Sequence, residues 1–220
     1  GETGPPAHAE GRPPAHYPKY IFFFIGDGMG YGQIQLTEMY LGVENHGAEG
    51  NIVPLPFCEF PVVGTQRTFE AGRFITDSAS AATALASGIK TDDGVINMDP
   101  SLEYKSTPIT YPLHDLGYKI GIVTDVPLNH ATPAAYYAQV SHRNEAYEIG
   151  LQMAESGFEF FGGGGLEDAL GEEGDQEDLH NILEEHGYKV VNTKEEIEAL
   201  GLEDGKAVAI NPKLIPGWYS

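Results

Sequence analysis

Residues Tyr20–Gly30 read YIFFFIGDGMG. From Tyr20 to Ile25 the chain carries neither charge nor proline, and Gly-Asp-Gly follows at once. So short an unbroken apolar run, closed by glycine, predicts a strand buried on both faces that opens into a loop at its carboxyl end. YKIGIVTD (118–125) and FEFFGGGG (158–165) repeat the arrangement, and 188–192 and 206–210 read as short late strands. Further short extended pieces are expected at 57–63 and 65–69. Between the strands lie helical patterns at 31–41, 77–87 and 145–156, another ending near Gly117, one after Asn129 with Pro133 in its first turn, and one over 177–187. The stretch 90–108 reads as loop. Strands alternating with helices predict an α/β fold, a three-layer sandwich whose central, largely parallel sheet is flanked by helices. In such folds ligands collect beyond the carboxyl ends of the strands, so the chemistry belongs in the loops after each strand.

Charge narrows the partners. With 12 Lys+Arg against 33 Asp+Glu, the net charge of the 220 residues is −21. Nucleic acid and anionic membrane surfaces are disfavoured, since their phosphates would be repelled. A phosphate-handling site needs local cations or metals to invert that field. Cys58 is the only cysteine, which excludes an intramolecular disulfide and a Cys-rich zinc module. The apolar stretches fall well short of the ~20 residues of a membrane span. Residues 1–19 are rich in Pro, Gly and Ala and read as a disordered or arm-like tail, with GETG vector-derived.

Asp77-Ser78 opens the Ala-rich helix that Gly88 closes. A serine there sits at the positive end of the helix dipole, beside backbone N–H groups without helical partners, which suits a nucleophile that becomes phosphorylated. Asp and Ser are equally the preferred N-caps, and capping is compatible with catalysis. Asp27, between two glycines, suits a hard-metal ligand or a turn. In HATPAAYYAQVSHR, His130 and Thr132 precede a helix, and Arg143 follows Thr132 by eleven residues. That separation is about three helical turns, which places Arg143 at the far end of the helix or just past it. Thr132 offers an oxygen to a cation or an N-cap; Arg143 offers a fork for phosphate or a surface salt bridge. FGGGG reads as a turn rather than a phosphate loop, and EDALGEEGDQED as a solvated face.

Taken together, these stretches resemble the alkaline phosphatase family. ITDSASAAT (75–83) resembles its nucleophile signature, IGDGMG (25–30) its first metal-ligand loop, and VTDVPLNHATPAAYYAQVSHR (123–143) its third motif. ASGIKTDDGVIN (86–97) resembles the segment after the nucleophile helix, and the motifs fall in the family's order across 20–165. The resemblance implies a phosphomonoesterase acting on phosphate monoesters and binding inorganic phosphate, with zinc and magnesium as cofactors. Ser78 would be the nucleophile, forming a phosphoserine and touching metal. Asp77 would orient Arg143, which grips two phosphate oxygens. Asp27 would bridge zinc and magnesium, and Thr132 would bind magnesium. His130 stands near magnesium where many members carry Asp and others His, which implies altered magnesium dependence. A periplasmic or secreted location and a homodimer are also implied.

Family members run to roughly twice this length, and their remaining ligands lie in the second half. After Gly165 there is no GDHE-like segment and no carboxylate/His constellation. Residues 20–220 are therefore expected to be the N-terminal portion of a single family domain, not competent alone as a two-zinc enzyme. The alternatives are a phosphodiesterase or sulfatase of the same superfamily, against which Ser78 counts, and a non-catalytic fragment that binds phosphate or metal weakly.

Overall fold

The computed structural model describes residues 17–47 and 51–211, and it divides into two compact units that meet in sequence between Val53 and Pro54. The expected tail with GETG lies almost wholly outside the described residues.

In the first unit, helix α1 (Tyr31–His46) starts where the sequence places it and runs five residues further. Gly42 is buried on α1, and a Cβ there would fall 1.9 Å from the Asn51 carbonyl oxygen, so only glycine admits the returning chain. The run ahead of α1 corrects the sequence reading. Residues 20–25 form no strand of the sheet, and they are exposed, Phe24 to 85%. Apolar pattern records what a segment gains by burial, whereas a strand also needs a neighbour to complete its hydrogen bonds.

The second unit holds a sheet of four strands: β1 (Gly121–Val123), β2 (Phe160–Gly163), β3 (Tyr188–Val191) and β4 (Lys206–Ile210). Their order is β1-β2-β4-β3 and every pairing is parallel, with Ile122 opposite Phe161, Phe161 opposite Val208, and Val190 opposite Val208. Helices α2 (Ser78–Ser87), α3 (Thr110–Asp115), α4 (Ala131–Ala134), α5 (Ala146–Glu155), α6 (Leu179–Glu185) and α7 (Lys194–Glu198) accompany it. This is the expected α/β architecture, a parallel sheet flanked by helices.

Two segments differ from expectation. The first is β1, which is an edge strand with Val123 75% exposed, where the apolar run predicted full burial. The second is 57–69, which gives one 3₁₀ turn (Pro56–Glu59) and no strand.

Phe158 and Phe161, on and before β2, are fully buried with Leu128, Ile149, Met153 and Val208. The Tyr137 ring meets Phe161 edge-on at 5.5 Å, and its hydroxyl donates to the Leu128 carbonyl at 2.6 Å. Burial pushes that phenol well above its ordinary pKa, so it stays neutral and keeps donating. β2 ends in glycine because the chain crosses it closely: a Cβ on Gly163 would lie 2.9 Å from Leu128 and Thr124 side chains and 3.0 Å from the Val126 carbonyl. Here the glycine run provides close approach, with Gly164 N–H on Val126 O and Leu128 N–H on Gly165 O.

Candidate active site

α2 begins as its sequence demands. The Oδ1 of Asp77 accepts from the Ser80 backbone N–H at 2.9 Å and from the Ser80 hydroxyl at 2.8 Å, a reciprocal cap with serine in the place usually held by Glu. Gly88 closes the helix in the left-handed conformation at φ 72°. Ala79, Ala82 and Ala86 are buried, and α2 packs against the equally small α4, where Ala131, Ala134 and Ala135 are buried too.

The other oxygen of Asp77, Oδ2, accepts from Arg143 Nη1 at 3.0 Å. Burial alone would raise the Asp77 pKa, but the Ser80 N–H and hydroxyl and the Arg143 guanidinium outweigh it and hold the carboxyl below its usual range. The second arm of the fork, Nη2, lies 2.8 Å from His130 Nε2. Because guanidinium is donor-only, that contact makes Nε2 the acceptor and puts the imidazole proton on Nδ1. Arg143 is thus held at both amino groups, by a carboxylate and by an imidazole.

This convergence depends on a bend the sequence did not announce. A continuous helix from Thr132 would carry Arg143 about 16 Å away along its axis. Instead α4 ends at Ala134, residue Val140 exchanges backbone hydrogen bonds with Ile96, and Arg143 N–H bonds the Gly94 carbonyl at 2.7 Å. The returning chain thereby brings Arg143 back beside His130.

Ser78, half-buried at the first position of α2, lines one groove of about 1000 Å³ together with His130 and Arg143. Asp77 stands behind Arg143. Thr132 is half-buried on α4, two residues beyond His130, and does not line the groove. Asp27 belongs to the first unit. Glu167, Asp168 and Glu172 also line the groove, although their acidic stretch read as a solvated face. Their place directly after β2, at a strand's carboxyl end, was the signal available. Among the described residues, no three His, Cys, Asp or Glu side chains are placed to hold a metal ion.

Replacing Asp77 separates its two roles. Asp77→Ala is expected to cost about 1–2 kcal/mol by removing the cap, whereas Asp77→Asn keeps the cap through its oxygen but loses both the charge and the acceptor that face Arg143. Urea unfolding of both variants checks this; equal losses would mean that the cap contributes little.

A profile of the alkaline phosphatase family matches residues 18–207. The chain belongs to the alkaline phosphatase family. Alkaline phosphatase 4 of Drosophila melanogaster is 33% identical over 144 residues, covering 63% of this chain and 24% of that protein. The alkaline phosphatase of the Antarctic bacterium TAB5 shares the fold at a TM-score of 0.68 and 27% identity, over 84% of this chain and 51% of that one. A variant of the TAB5 alkaline phosphatase with Mg bound matches at a TM-score of 0.67 and 26% identity. This alkaline-phosphatase chain therefore spans about a quarter of the Drosophila protein and half of the TAB5 structure. Members of the family are hydrolases, and the Mg-bound neighbour agrees with metal dependence in the family.

Proposed function

We propose that this chain carries the phosphate-accepting part of a phosphomonoesterase, and that residues 20–220 are the N-terminal portion of a single domain. One observation carries the reading: Ser78, at the start of a ten-residue helix, opens into the same groove as an arginine clamped by Asp77 and His130. Arg143 presents its guanidinium to two non-bridging oxygens of the phosphate, and its two partners fix the plane of the fork. Ser78 Oγ attacks phosphorus while the ester oxygen leaves as the alcohol, taking its proton from water. The serine proton passes to water, and a phosphoserine remains. Water then attacks that phosphorus, regenerating Ser78 and releasing inorganic phosphate. The helix dipole and first-turn amides favour the charge that gathers at Ser78.

Zinc and magnesium belong to the proposal through the family. Asp27, Thr132 and Ser78 are oxygen donors of the kind hard cations take. They do not make a metal site by themselves, so no step is derived through one. An exported location and a homodimer are carried by the family resemblance alone.

The test is covalent labelling. The purified chain, incubated with a phosphate monoester plus Zn²⁺ and Mg²⁺ and quenched in acid, is expected to hold phosphate on Ser78 by mass spectrometry, and Ser78→Ala to hold none. Label elsewhere, or label that survives Ser78→Ala, would overturn the assignment.

A further inference from the structure

Asp77 holds Arg143, and Asp77 is itself held from behind. Its Oδ2 faces the guanidinium, while Oδ1 turns into the first turn of α2 and meets the Ser80 hydroxyl at 2.8 Å. That hydroxyl has a further neighbour, Thr76 Oγ1, at 2.6 Å. Ser80 is fully buried and Thr76 half-buried, so bulk water has little access to these contacts. Neither residue lines the groove, and neither meets a ligand there.

Chemistry sets the direction of this chain. A carboxylate only accepts, so the Ser80 proton points at Asp77 Oδ1 and leaves Ser80 Oγ as an acceptor. Thr76 Oγ1 supplies the proton it accepts, since the other acceptor within reach of Thr76, the Asp77 carbonyl, is farther away at 3.2 Å. The order is therefore Thr76 to Ser80 to Asp77, with Arg143 donating to the opposite carboxylate oxygen. Hydrogen bonds in such a chain polarise one another, and each strengthens the next.

Helix capping does not call for this arrangement. The cap needs the Ser80 backbone N–H on Oδ1, which is present at 2.9 Å. In a capping box the side chain three residues on serves the backbone N–H of the cap residue, yet Ser80 Oγ lies 3.4 Å from that N–H and only 2.8 Å from the carboxylate. The hydroxyl is spent on the carboxylate. With two donors on Oδ1, the Asp77 carboxylate cannot turn about its Cβ–Cγ bond, and Oδ2 stays opposite Arg143 Nη1. We propose that Ser80 and Thr76 are positioning residues for the phosphate-binding arginine, their ordered hydroxyls fixing the Asp77 carboxylate and, through it, the plane of the Arg143 fork. This inference rests on the phosphate-binding reading above.

A double-mutant cycle read by titration calorimetry with inorganic phosphate tests it without requiring turnover. Ser80→Ala keeps the backbone N–H on Oδ1 and is expected to weaken phosphate binding about fivefold, part of what one charge-assisted hydrogen bond contributes. Thr76→Val leaves Ser80 and the cap in place and is expected to weaken it about twofold. In the Arg143→Lys background there is no fork to orient, and both substitutions should cost nothing further. A purely structural role would instead cost the same factor in both backgrounds. If the parent chain binds phosphate but Ser80→Ala and Thr76→Val bind it equally well, or lose the same factor in the Arg143→Lys background, the positioning inference is wrong and the phosphate site stands. Should Ser80→Ala not fold, Thr76→Val decides by the same comparison. If the parent chain binds no phosphate, the phosphate reading falls and takes the inference with it.

Discussion

Asn97→Ala is expected to melt about 10 °C below the parent chain, taking a loss of roughly 3–4 kcal/mol for a domain of this size. Asn97 is fully buried between the end of α2 and the turn after α4. Its Nδ2 donates to the carbonyls of Ala135 at 2.6 Å and Ala138 at 2.7 Å, its Oδ1 accepts from Ser87 Oγ at 2.6 Å, and its backbone N–H donates to Thr83 Oγ1 at 2.9 Å. One side chain thus joins the end of α2 to the turn after α4. Truncation strands two buried carbonyls and a serine hydroxyl, each costing of order 1 kcal/mol. It also leaves alanine at a φ of 51°, a conformation that asparagine tolerates better. Asn97→Gly relieves the backbone strain without restoring the bonds, so it should recover only the smaller part of the loss. A shift of less than 3–4 °C for Asn97→Ala in differential scanning calorimetry, about a third of that expected, would mean that water replaces this junction.

The second large effect concerns Arg143. Arg143→Ala is expected to weaken binding of inorganic phosphate about a hundredfold, and Arg143→Lys about tenfold, because a lysine supplies charge without the planar fork. The geometry explains the difference: Nη1 is engaged by Asp77 and Nη2 by His130, so the guanidinium is held in one plane before any ligand arrives. An ammonium has no plane to fix. Titration calorimetry with inorganic phosphate reads both variants. Wild-type affinity in Arg143→Lys would show that charge alone is used.

Local signals carried much of the fold. The boundaries of α2 were readable because Asp77 and Gly88 act within a few residues of the helix ends they define, and β2 and β4 were readable from apolar runs flanked by polar or glycine residues. What the sequence concealed was non-local. Nothing near Ala134 says that the chain must stop there and return to Ile96, since that bridge spans distant residues. The pairing of Arg143 with Asp77 was implied by the family resemblance, but it depends on the bend and could not be read from spacing. Residues 20–25 had every local mark of a strand, yet local marks cannot provide a neighbour. The acidic stretch is exposed, as its composition indicates, but composition could not show that Glu167, Asp168 and Glu172 also border the groove.

Where α2 meets α4, the buried residues of both helices are small, alanines with Ser80, Thr83 and Pro133. Ser78 rides on one and His130 directly precedes the other. The gauge between nucleophile and clamp is therefore set by hard contact between the smallest chiral side chains. Such a seam works as a machined stop: it cannot be tightened by a smaller residue other than glycine, and a single added methylene at Ala82 or Ala134 would act as a shim that opens the jaw. The spacing of this site lies in the thickness of that seam, away from the polar groups of the groove.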